Sequence, residues 1–150
     1  TVLAAGGGGD RPVRAEAVVA AVDAGRAGGD AVIVDVPRTD PALRDELVLR
    51  ADLVAVVSEG RLSAIAAARA TREALAVDRA PVELVLRGPA PGGLPVDEMA
   101  WAVGLPLLAG YRSDPSLPAR MESRPLRPGG RSPLAQIGRR LCGRLDEVGA

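Results

Sequence analysis

Hydrophobic positions along the chain switch between two rhythms. "AVIVDV" (Ala31 to Val36) is apolar on both parities and β-branched, which predicts a strand buried on both faces, as in a parallel sheet. "DLVAVVS" (Asp52 to Ser58) predicts a second buried strand, "VELVLR" (Val82 to Arg87) a third, and "LPLLAGYR" a fourth near Pro106 to Gly110; Val2 to Ala5 reads as a shorter one. Between these runs the period lengthens to that of a helix. From Pro12, Val18, Val19 and Val22 share one face, and Gly25, Gly28 and Gly29 supply a stop. Asp40 before Pro41 is an N-cap followed by a proline at the first helical position, so a helix should start near Pro41 and carry Leu43 and Leu47 inward. Leu62, Ile65, Ala66, Arg69 and Leu75 mark an Ala-rich helix, and "PVDEMAWAVG" a short one closed by Gly104, with the residues around Trp101 expected in the core. The proline-rich stretch from Ser113 to Gly130 reads as loop with one turn of helix. "SPLAQIGRRLCGRLDEV" closes the chain as an amphipathic helix with Leu134, Ile137, Leu141, Leu145 and Val148 on one stripe.

Strands alternating with helices at this spacing make βαβ units. The expected fold is therefore α/β, a three-layer α/β/α sandwich around a mostly parallel sheet, in one domain over residues 1–150. A chain of 150 residues is long enough for one such core. Its apolar runs are far shorter than the roughly 20 residues of a membrane-spanning helix, and a cytoplasmic location is expected. The chain begins at Thr1 inside an apolar run, which reads as a fragment lacking its first strands. Such a fragment is expected to expose a sheet edge and to be weakly stable or self-associating.

Composition narrows the chemistry. Lys, His, Asn and Phe are absent, and all nineteen basic residues are Arg, balanced by nineteen acids. Without His or Lys there is no Ser-His-Asp triad, no Schiff base and no Walker A lysine within this chain. The lone Cys142 makes neither an internal disulfide nor a zinc site. Zero net charge and only two aromatic residues, Trp101 and Tyr111, give no strong nucleic-acid signal. Arg139, Arg140 and Arg144 beside the last apolar stripe suit either an anionic membrane or closure over the sheet, and Asp146 and Glu147 favour closure.

In open α/β sheets ligands sit beyond the carboxyl ends of the strands. Asp35 stands at such a position, and it has two readings: an acid that handles magnesium, or a residue that caps the turn before Pro37. Arg38, Arg61 and Arg87 each follow a predicted strand, and would gather at the carboxyl edge to bind phosphate or carboxylate, or simply form a solvated rim. "GGGGD" (Gly6 to Asp10) is a flexible loop or the turn of a dinucleotide site. It matches neither phosphate-loop pattern, and Asp30 is misplaced for a ribose-binding acid.

Taken in order, "GDAVIVDVPR", "ADLVAVVSEGRLSAIAAAR", "VELVLRGPAPGGLPVDEMAWAVGLPLLAGYRSDPSL" and "GGRSPLAQIGRRL" resemble the MinD/ParA group of P-loop ATPases, with "DVPR" and "LVLRGPAPGGL" closest to the actinobacterial CpaE-like, septum-site-determining branch. The resemblance covers about Gly29 to Leu145. It implies a P-loop NTPase-like fold and a cytoplasmic protein, or one peripheral at the inner face of the membrane. Its role would be septum-site placement or Flp (Tad) pilus positioning, through a homodimer or division, pilus or secretion partners. It also implies Asp35 as the Walker B acid, catalytic and magnesium-handling, with Arg38, Arg87, Gly88 and Pro89 at the nucleotide. Arg87 and Gly88 stand where active relatives usually carry an adenine-recognising Asn. ATP and Mg2+ are expected only where a P-loop is supplied from beyond this chain, and none for the chain alone. The alternative is a catalytically inactive pseudo-ATPase interaction module.

Overall fold

The computed structural model describes residues 14–36, 39–75, 80–88, 94–123, 125 and 130–148. Val2 to Asp10, with the predicted first strand and the glycine loop, lies outside them, as do Pro37, Arg38 and Pro89. Two compact units form, Thr1–Arg50 and Ala51–Ala150.

In the first unit α1 (Ala15–Ala27) and α2 (Pro41–Val48) pack through Val22, Leu43 and Leu47. As its sequence predicts, α2 starts at Pro41 with the Asp40 carboxylate accepting the Leu43 N–H at 3.0 Å. The segment 31–36 does not form the doubly buried strand expected of it. It has no ladder partner among the described residues, and Ile33 is 90% exposed. Val34 and Val36 instead rest half-buried against the Val22, Leu43 and Leu47 cluster. A β-branched apolar run satisfies its hydrophobicity against any apolar surface, and here two helices offer one. Gly25 lets this segment cross α1, because a Cβ there would lie 2.7 Å from a Val32 methyl.

The second unit is a parallel sheet of three strands in the order β1 (Val54–Glu59), β2 (Val82–Gly88), β3 (Leu107–Arg112). α3 (Leu62–Ala74) links β1 to β2, and α4 (Val96–Val103) links β2 to β3, which makes two consecutive βαβ units. The register runs Val54↔Val82 on one side, and shifts between Leu84 and Val85 on the other, so that Val85 pairs with Ala109. Alternation across the sheet then assigns its faces. Val85 and Ala109 point to α6 (Pro133–Val148) and enclose Ile137. Leu84 and Leu86, fully buried, point the other way, to the side where Val96 of α4 lies against Gly110 and where Ile65 and Ala68 of α3 are buried. Helices on both faces complete the three layers.

α6 is held by polar contacts as well as by its apolar stripe. Arg140 donates to the Leu108 carbonyl at the register shift (3.2 Å), and Arg144 Nε meets the buried Glu83 at 2.6 Å. Two carboxylates, Glu83 first and then Glu147, hold the Arg144 pKa above its ordinary value. α5 (Leu117–Ser123) gives the proline-rich stretch more helix than the single turn its composition predicts, yet buries no residue.

Three expectations are corrected. The first is the missing strand at 31–36. The second concerns β1, which is buried on one face only: Val56 and Ser58 are covered, whereas Val57 is 58% exposed. β1 is an edge strand and α6 lies over β3, so nothing described covers that face. The third is Trp101, expected in the core. Met99, Ala100 and Val103 take the inward positions of α4 and leave Trp101 86% exposed on the outer side.

Candidate functional site at the carboxyl edge of the sheet

Because the three strands are parallel, their carboxyl ends emerge along one edge. The ladder continues beyond the strands there, with Gly60 N–H donating to the Arg87 carbonyl (3.0 Å) and Ser113 N–H to the Gly88 carbonyl (2.7 Å). This fixes Glu59, Arg87, Gly88 and Arg112 as neighbours on a rigid rim. The buried Ser58 hydroxyl, by donating to the Ala64 carbonyl at 3.2 Å, also ties the end of β1 to the first turn of α3.

Glu59 organises the rim. Its Oε1 accepts from Arg87 Nη2 at 2.6 Å, and its Oε2 lies 3.4 Å from Arg61 Nε. Two of the three arginines expected at this edge are thus brought together, around a carboxylate that sequence reasoning missed. The signal for it was present: an acid at the last position of a strand, followed directly by Gly60 and Arg61. All three side chains remain substantially exposed, so these ion pairs add little to stability. Chemically, the rim offers two guanidiniums that share one internal acid, which leaves it net positive. An incoming phosphate or carboxylate has to displace Glu59 to gain the bidentate geometry that Arg favours.

Next to the rim, Asp114 accepts from the Ser116 hydroxyl (2.7 Å), the Ser116 N–H (3.0 Å) and Arg120 Nη1 (3.0 Å). The Ser116 hydroxyl bond chiefly, then its N–H, hold the Asp114 carboxyl below the ordinary aspartate range; partial desolvation opposes them, and Arg120 adds a smaller lowering.

The remaining site residues fall elsewhere. Asp35 belongs to the first unit, exposed on the unpaired segment 31–36 rather than at a strand end. Arg87 and Gly88 are on the rim, and Arg38 and Pro89 are outside the described residues. Among the described residues no group of three or more Cys, Asp or Glu side chains is placed to hold a metal ion. ATPase magnesium is usually held by one or two carboxylates together with nucleotide phosphates, and Asp35 supplies at most one of these ligands.

No protein-family model matches the chain, and no solved structure does. Among curated proteins it is similar to "Uncharacterized protein MT3760" of Mycobacterium tuberculosis (strain CDC 1551 / Oshkosh) and "Uncharacterized protein Rv3660c" of Mycobacterium tuberculosis (strain ATCC 25618 / H37Rv). Each is 41% identical over 133 residues, 89% of this chain and 38% of the relative. The chain therefore spans well under half the length of these relatives, whose descriptions state no activity. Among the described residues no helix is long and apolar enough to cross a membrane.

Proposed function

We propose that the protein is a MinD/ParA-like regulator of the CpaE-like branch, acting in septum-site placement or Flp (Tad) pilus positioning through a homodimer or a division, pilus or secretion partner. Its location is cytoplasmic or peripheral at the inner face of the membrane. ATP and Mg2+ are the switch where the whole protein brings a P-loop to Asp35. The observation that carries this reading is the order of MinD-like segments, with the second and third taken up in consecutive βαβ units of a parallel sheet and the fourth in α6, the helix over β3.

The test is ATP turnover by the full-length protein and by its Asp35→Ala variant. The switch reading expects measurable turnover in the first and a loss of at least about tenfold in the second. Zero turnover in both removes the switch. The cellular role is tested by deleting the gene and mapping septa and pili by microscopy; unchanged positions of both refute it.

One observation favours the second reading, a pseudo-ATPase interaction module. At the position where active relatives usually carry an adenine-recognising Asn stands Arg87, and its guanidinium is engaged by Glu59. On that reading the rim is a recognition surface rather than a nucleotide edge. The full-length protein would then bind no ATP by calorimetry.

A further inference from the structure

Trp101 is the sole tryptophan of the chain and the largest apolar side chain it has, yet it is 86% exposed on the outer side of α4. It borders a shallow cavity of about 370 Å³ lined by Arg69, Arg72, Ala102, Val103 and Gly104. Arg72 is fixed there, because its Nη1 donates to the Gly104 carbonyl at 3.2 Å and its guanidinium occupies the space a side chain on Gly104 would need. Arg69, one turn earlier on α3, pairs with Glu73 at 3.1 Å in an exposed contact of small energy.

On α4, Asp97 and Glu98 are exposed one turn before Trp101, and the helical period puts them on its side of the helix. The stripe of α3 that carries Arg69 adds Leu62, 81% exposed, and the exposed Ala66, whose small side chain allows close approach. The patch therefore has an aromatic centre, on one flank two guanidiniums of which that of Arg69 is shared with Glu73, and two carboxylates on another.

We infer that this α3/α4 face is a two-fold self-association surface, in which Trp101 of one copy packs on Trp101 of a second while Arg69 and Arg72 of each face Asp97 and Glu98 of the other. An acidic partner would be repelled by one flank and a basic partner by the other. A second copy turned through a two-fold axis presents each charge to its opposite. Tryptophan and arginine are also the residues that dominate binding energy at interface centres, and one tryptophan buries about 150–250 Å². All these residues belong to the second unit, and the inference does not depend on a nucleotide site.

The experiment is sedimentation of the chain over about 1–200 μM, with tryptophan emission read on the same samples; that range brackets the micromolar affinity expected of a small interface. The expected result is a doubling of mass accompanied by a blue shift of the single tryptophan. Trp101→Ala and Arg69→Glu should each raise the midpoint concentration at least about tenfold, and R69E combined with D97R should restore it. Far-UV circular dichroism checks that each variant is folded. A single-copy mass throughout, a blue shift with no change of mass, or a doubling that survives Trp101→Ala unchanged would each overturn the inference. The last would place the contact elsewhere, the free edge of β1 included.

Discussion

Leu84→Ala tests the layered core most directly. Leu84 has no exposed surface, and it sits in β2, the middle strand, whose backbone is paired on both sides. Truncation removes three carbons' worth of packing and leaves a cavity that the doubly paired strand cannot move to fill, so the cost belongs in the upper part of the usual range, about 4 kcal/mol. Ile137→Ala empties a comparable volume on the opposite face. Ile137 is 9% exposed on a helix whose neighbours Leu134 and Leu141 are only half-buried, and these can settle inward, giving about 2 kcal/mol. A unit of this size has a total stability of roughly 5–15 kcal/mol. The first variant thus removes a large fraction of it and lowers the Tm by about 16–30 °C, the second by about half as much. Urea titration followed by far-UV circular dichroism is the assay, because the exposed Trp101 reports little on the core. A Leu84→Ala loss below about 1 kcal/mol, or an Ile137→Ala loss larger than it, would refute the assignment of β2 as the doubly covered centre.

Two further outcomes follow from local geometry. Gly104→Ala should destabilise by about 1–2 kcal/mol in the same titration, since Gly104 has φ of 75° and its Cβ would meet the Arg72 guanidinium; an unchanged midpoint would show that the helix end relaxes freely. Asp114 has a depressed pKa, so the stability it contributes is full above the unfolded-state value of about 3.9 and is lost as pH falls through the lower folded-state value. A carboxyl-carbon NMR titration should place its midpoint below the aspartate norm in the native chain and move it upward in Ser116→Ala. An unshifted midpoint in that variant would refute the Ser116 hydroxyl as the main cause.

How much was legible in the sequence differs by element. The start of α2 at Pro41 was, because an N-cap acid and a proline act within one turn. So were β1 and β2, whose valine-rich runs are bounded by Gly and Pro, β3, a short apolar run directly after Pro106, and the end of α4 at Gly104, where the backbone needs a left-handed residue. Segment 31–36 shows the limit. Its composition is that of a strand, but a strand exists only with a partner, and the described structure gives these residues helices to rest on instead. The same holds for the candidate site. That arginines would follow the strands was readable from position; that Glu59 would pair with both Arg61 and Arg87 depended on strand register and on the start of α3.

Short-range chemistry, namely capping, turn residues and period, was therefore set by the order of amino acids alone, because those free energies are contributed within a few neighbouring residues. Pairing, coverage and exposure were decided only by the folded chain. Glu83 is buried against Arg144 across 61 positions of sequence, Val57 is bare because α6 lies over another strand, and Trp101 is outside because the inward positions of α4 went to smaller side chains. Each of these depends on which distant surface packs against an apolar or charged group in the folded state, and no local pattern encodes that.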